Sequence, residues 1–127
     1  SWARLQSEKG NSNVYMYYFD QHPEYPEGSP QYGNGSPHGQ DVDFVFKTLK
    51  KEDTDTDYEL SDIMATYWTN FAKYGDPNGE GLPEWPEFTE DNHVTMVLKG
   101  DDPYPAPVPD EDALWILNSY FEWRRSL

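Results

Sequence analysis

The sequence predicts an α/β protein with few strands, two main helices and long loops. Three observations carry that prediction. Val14-Tyr15-Met16-Tyr17-Tyr18-Phe19 is an unbroken run of β-formers; Leu60, Ile63, Met64, Tyr67, Trp68, Phe71 and Ala72 recur at helical spacing; Val94-Thr95-Met96-Val97-Leu98 is a second short β-forming run. An apolar strand without polar alternation reads as covered on both faces, which requires helices on two sides of a sheet.

Taken in order, Trp2 to Glu8 suits a short helix with Trp2 and Leu5 on one side and Gly10 as its stop. The first strand follows. From Asp20 to Pro37 the chain carries Pro23, Pro26, Pro30 and Pro37 with Gly28, Gly33 and Gly35, the composition of an ordered but irregular loop. The main helix is expected to start with Thr56 as its cap and Glu59 closing a capping box, with acids at the positive end of its dipole. Gly75-Asp76-Pro77-Asn78-Gly79 ends it. After Trp85-Pro86 and the second strand, Asp101 to Pro109 is Pro-rich and turn-like. Asp110 to Arg125 then reads as a helix with acids first and Arg124 and Arg125 last; Ala113, Leu114, Leu117, Tyr120 and Phe121 are expected to face inward and dock on a partner element.

The chain of 127 residues is about one domain long. Its aromatic share of 17% argues against disorder, yet only 35% of residues are hydrophobic, so its rings are expected to be buried partly against something absent. The formal charge of -15, with nine basic residues, opposes binding to nucleic acid or anionic membranes. Steering of a cationic substrate is a weaker reading than plain solubility. With no cysteine there is no disulfide, thiolate metal site or thiol nucleophile, and no cofactor or metal site is expected. No apolar run is long enough to span a bilayer, and residues 1–10 lack the order of a signal peptide. Because the chain does not begin with Met, the expectation is a piece of something longer, with its compartment unassigned and, when isolated, a tendency to self-associate.

Chemistry, if any, centres on Ser36-Pro37-His38-Gly39-Gln40-Asp41-Val42-Asp43-Phe44-Val45-Phe46. An imidazole between proline and glycine at the end of a loop is held by stiff backbone and faces solvent, which suits a working base and an idle surface group alike. His22 has no acidic or nucleophilic neighbour pattern, and His93 reads as structural or exposed. The alternating acids of Asp53 to Glu59 invite a calcium-loop reading. That pattern wants Gly and Glu where Tyr58 and Met64 stand, so the match fails. A Gly-x-Ser-x-Gly elbow is also missing: Gly10-Asn11-Ser12-Asn13-Val14 ends in Val and precedes a strand.

In order and spacing, three motifs resemble the C-terminal part of the type-B carboxylesterases, the serine-esterase family that includes the cholinesterases. They are His38-Gly39-Gln40-Asp41-Val42-Asp43-Phe44-Val45-Phe46 after a Tyr-rich strand and a Gly/Pro loop; Tyr67-Trp68-Thr69-Asn70-Phe71-Ala72-Lys73-Tyr74-Gly75-Asp76-Pro77-Asn78; and Trp85-Pro86-Glu87-Phe88. The likeness runs from about Trp2 to Trp123 and is weakest at Lys50 to Asp57 and Asp101 to Asp112. It implies that residues 1–127 are one segment, the C-terminal portion of an α/β-hydrolase catalytic domain. It implies His38 as the base of a Ser-His-Glu/Asp triad acting on a small-molecule ester, with serine and acid encoded in a missing N-terminal part of the same fold. Asp41 stands where the family usually has Glu, as a supporting residue. The alternative is a catalytically dead, cholinesterase-like adhesion or binding module.

Overall fold

The computed structural model describes residues 2–23 and 25–127. Its elements are α1 (Trp2–Lys9), β1 (Tyr17–Phe19), α2 (Gln40–Val45), α3 (Asp55–Tyr74), β2 (Val94–Leu98), β3 (Tyr104–Pro107) and α4 (Glu111–Arg125). The sheet has the order β1-β2-β3, with β1 parallel and β3 antiparallel to β2. Parallel neighbours cannot be joined by a tight turn, and the β1-to-β2 crossover accordingly holds α2 and α3.

Helix α3 forms because its apolar residues fall three and four apart, and it buries the inner part of that stripe: Leu60, Met64 and Tyr67 are fully enclosed. They pack with Phe44 of α2, Trp85, and Met96 and Leu98 of β2. Ser61, also buried, donates its hydroxyl to the Phe44 carbonyl at 2.7 Å and so joins α3 to α2. The helix stops where Gly75 takes φ 71°, a left-handed position that favours glycine, and donates its N–H to the Phe71 carbonyl at 2.8 Å.

Its start lies two residues before the expected one. Thr54 is the cap and Asp57 closes the box: Thr54 N–H donates to Asp57 Oδ2 at 2.8 Å and Asp57 N–H to Thr54 Oγ1 at 3.2 Å. Thr54-Asp55-Thr56-Asp57 spells the same signature as the later pair, and a tertiary contact selects it. The Gln21 side-chain amide donates to Asp57 Oδ1 at 2.7 Å, fastening the helix start to the loop after β1.

Strand β1 is shorter and more open than predicted. Residues 14–16 continue its line, but the Val14 carbonyl is taken by Phe88 N–H at 2.8 Å and the Met16 carbonyl by both Met96 N–H and the Trp85 indole. Tyr17 and Tyr18 are exposed, so the run is not covered on both faces. Strand β2 has the predicted bounds and buries Thr95 to Leu98. Within Asp101–Pro109, read as turns, lies β3, in which Pro105 faces Met96 and Pro107 faces Val94. Proline is tolerated there because β3 is an outer strand.

Both terminal helices form as predicted but bury nothing fully. Trp2 and Leu5 are exposed, and Ala113, Leu114, Leu117, Tyr120 and Phe121, expected to face inward, are exposed as well. Their periodicity is helical; no described element covers it. No helix among the described residues is long and apolar enough to cross a membrane.

The Asp57 carboxyl is displaced below its ordinary range: burial alone would raise it, and the hydrogen bonds from the Thr54 hydroxyl, the Thr54 amide and Gln21 outweigh that effect. A depressed carboxylate contributes stability above its unfolded pKa, about 3.9, and loses it as pH falls through the lower folded value. Thr54→Ala is therefore expected to cost about 1 kcal/mol at neutral pH, read from the urea midpoint, with the penalty shrinking as Asp57 is protonated. In the core, Met64→Ala should cost about 2–5 kcal/mol in the same measurement. A loss below about 1 kcal/mol would mean that Met64 is not enclosed as described.

Candidate functional site

The loop leaving β1 is anchored before it turns irregular. Asp20 N–H donates to the Leu98 carbonyl at 3.0 Å, and Lys99 Nζ sits 2.9 Å from Asp20 Oδ2. Gln21 then links three segments: it donates to Asp57, accepts Gly100 N–H at 2.9 Å through its side chain, and accepts the Ser36 hydroxyl at 2.9 Å through its carbonyl. Between these anchors run successive turns, closed by Ser29 N–H to Pro26, Tyr32 N–H to Ser29 and Asn34 N–H to Gln31. The loop is ordered and irregular, as its prolines and glycines predict; Glu24 lies outside the described residues.

His38 sits at the corner of the turn that ends this loop. Gln40 N–H closes onto the Pro37 carbonyl at 3.2 Å, and Gly39 takes φ 80° and ψ 1°, the geometry of the third position of a type II turn. No atom would touch a Cβ at Gly39, so its positive φ, and not crowding, calls for glycine. Val42 N–H to Gly39 then begins α2 directly behind the turn. The imidazole is exposed and makes no hydrogen bond or ion pair with a described residue. Both of its ring nitrogens are available to groups outside the turn.

Asp41 lies in the first turn of α2, yet the structure does not pair it with His38. Its Oδ2 accepts the Tyr17 hydroxyl of β1 at 2.8 Å. The Tyr17 ring stands edge-on to Trp68 at 5.1 Å and to Trp85 at 6.2 Å. Partial burial among these rings, with the hydrogen bond to Asp41 and its negative charge, pushes the Tyr17 phenol up to about 12. Tyr17 therefore remains a hydrogen-bond donor throughout the neutral range. Neither Tyr17 nor Gln21 is singled out by the sequence, because each acts through partners at least 15 residues away.

The other histidines are tied down. His22 lies 3.7 Å from Asp20 Oδ1, an acidic neighbour the sequence reading passes over, and donates from Nδ1 to the Pro23 carbonyl at 3.1 Å. His93 holds Glu111 at the start of α4 and stacks flat on Phe88 with ring centres 5.2 Å apart. Two acids of the calcium-like stretch serve the backbone: Asp53 accepts Lys50 N–H at 2.5 Å and Asp57 closes the capping box of α3. No group of three or more acids and histidines among the described residues is placed to hold a metal ion.

The two motifs away from His38 form a scaffold. Asn70 donates its amide to the carbonyls of Pro77 at 3.2 Å and Asn78 at 3.3 Å, closing the turn after α3. Asn78 accepts Trp85 N–H at 2.7 Å and donates to the Trp85 carbonyl at 3.0 Å, and the Trp85 indole donates to Met16 at 3.0 Å. From Asn70 the connection thus reaches Trp85, Met16, Tyr17, Asp41 and the turn of His38. It places no polar group on the imidazole itself.

This arrangement has close counterparts among known proteins. The model of the "Carboxylesterase family" matches residues 1–104. Carboxylesterase 1C of Mus musculus is 41% identical over 88 residues, covering 67% of this chain and 16% of the relative; cocaine esterase of Homo sapiens is 37% identical over 88 residues, covering 66% and 16%. Among solved structures, a PNB esterase superposes with a TM-score of 0.74 at 32% identity, covering 90% of this chain and 22% of its own. The chain thus spans about a sixth of these curated relatives and less than a quarter of the solved esterase. Few strands, helices and long loops are accordingly part of an α/β-hydrolase fold, and by the match over residues 1–104 the chain belongs to the carboxylesterase family.

Proposed function

We propose that His38 is the general base of a Ser-His-acid triad in a serine carboxylic-ester hydrolase, and that residues 1–127 are the C-terminal segment of its catalytic domain. The observation that carries this reading is the imidazole itself: exposed, set at the corner of a glycine-bearing turn, and bound to no described residue. A triad base must reach a serine hydroxyl with one ring nitrogen and a carboxylate with the other. His38 leaves both free for groups contributed by the rest of the fold.

The chemistry follows from that position. His38 takes the proton of the serine hydroxyl as its oxygen attacks the ester carbonyl, and returns the proton to the departing alkoxide as the acyl-enzyme forms. Water then attacks the acyl-enzyme with His38 again as base, and the returned proton frees the serine. The sequence contains no Gly-x-Ser-x-Gly, so the nucleophile belongs to a preceding part of the same fold. The outer position of β1 and the bare apolar residues of α1 and α4 suit a surface that this part covers. Alone, the chain is expected to self-associate through those residues. The substrate class is a small carboxylic ester; the names of the relatives, cocaine esterase among them, agree with that class.

Two measurements test the proposal. The isolated chain should hydrolyse no p-nitrophenyl acetate above background, because a triad without its serine loses nearly all of its rate. Turnover by the isolated chain that disappears in His38→Ala would contradict this. Grafted in place of the corresponding segment of the PNB esterase, the chain should support ester hydrolysis, and His38→Ala in the graft should lower kcat at least a thousandfold. A folded graft that is inactive with His38 intact would favour the adhesion or binding module instead.

A further inference from the structure

We propose that the hydrogen bond from the Tyr17 hydroxyl to the Asp41 carboxylate is one arm of a two-point clamp that fixes His38 on β1, making Tyr17 a positioning residue for proton transfer. The inference rests on the reading of His38 as the triad base and extends it to Tyr17, Gln21 and Ser36, to which neither the motifs nor the comparisons assign a role.

The geometry is bilateral. Two residues before His38, Ser36 donates its hydroxyl to the Gln21 carbonyl at 2.9 Å; three residues after it, Asp41 accepts the Tyr17 hydroxyl at 2.8 Å. Gln21 follows β1 by two residues and Tyr17 is the first residue of β1, so both arms reach the same strand and its immediate continuation. The turn needs such support. Gly39, at the head of α2, provides no side-chain cap, α2 is only six residues long, and the turn's own closing bonds are 3.2 Å each. Behind it, Phe44 is the one residue of α2 enclosed in the core. Without the arms, the corner carrying His38 is a glycine-containing turn on a helix anchored at its far end.

Tyr17 is itself held rigidly. Its ring abuts the Trp68 and Trp85 rings, and Trp85 is fixed by its own hydrogen bonds to Met16 and Asn78. The hydroxyl is thus delivered to Asp41 from a strand already braced against α3. The Asp41 carboxylate is thereby engaged by the strand tyrosine.

Hydrogen exchange on the full 127-residue chain tests the clamp. In Tyr17→Phe, which keeps the ring and removes the hydroxyl, the amides of Gln40 and Val42 should exchange at least tenfold faster, while those of Met64 and Tyr67 within α3 stay within twofold. Asp41→Ala, which leaves the aromatic cluster untouched, should produce the same local acceleration, and the double variant should add little to either. Unchanged exchange at Gln40 and Val42 in both single variants would overturn the clamp. In the PNB esterase graft, Tyr17→Phe should lower kcat about tenfold with KM within twofold, as expected when a base is misplaced and substrate binding is not. An unaltered kcat there would overturn the positioning role. Activity that survives His38→Ala would instead remove the triad reading, whatever exchange shows.

Discussion

The packing of Trp85 against β1 and α3 is the constraint on which the rest of this structure depends. The residue is 4% exposed and stands edge-on to Tyr15, Tyr17 and Tyr67, with Trp68 tilted beside it. Aromatic pairs in such arrangements contribute about 0.5–1.5 kcal/mol beyond the area they bury, so this cluster orients the elements it joins as well as excluding water. Its polar atoms are satisfied too: the indole N–H by Met16, the backbone N–H and carbonyl by Asn78. A ring so enclosed cannot shift without breaking one of these bonds. That is how a loop residue can hold a three-residue strand and a twenty-residue helix in register.

The recurring motifs consequently divide by physical task. Asn70, the turn at Asp76 to Asn78 and Trp85 are bonded among themselves and to backbone, and so join the end of α3 to the loop of Trp85. The segment around His38 does the reverse. It leaves its titratable ring unsatisfied and constrains only the backbone beneath it, through a positive φ at Gly39 and side-chain bonds on either side. Rigid backbone under a free imidazole suits the proton-transfer role proposed for His38, because orientation is then set in advance.

Where local chemistry determines structure, the sequence was legible. The stripe from Leu60 to Trp68, the run Val94 to Leu98 and the glycine stop at Gly75 all follow from spacing or backbone preference, and all form as read. At His38 only a loop end on stiff backbone was legible; the glycine turn and α2 behind it appear in the structure alone. Long-range partners were not legible. The choice of Thr54 over Thr56 as cap depends on Gln21, 36 residues before Asp57, and the partner of Asp41 is a tyrosine 24 residues upstream. The shortness of β1 arises from carbonyls claimed by Phe88 and Trp85, and β3 was hidden by prolines that are admissible only on an outer strand. The terminal helices show a different limit: their periodicity revealed apolar faces but not whether anything in the same chain would cover them.

The two prolines of β3 have a consequence for how this sheet can be extended. An incoming strand would find no N–H at Pro105 or Pro107, two of the four residues of β3. Lateral zippering with other chains, the route to fibrillar stacking, is therefore blocked on that flank, leaving β1, among the described strands, as the edge able to accept another strand. Recruitment becomes directional: among the described strands, a newly arriving polypeptide can prolong the ribbon only beside Tyr17.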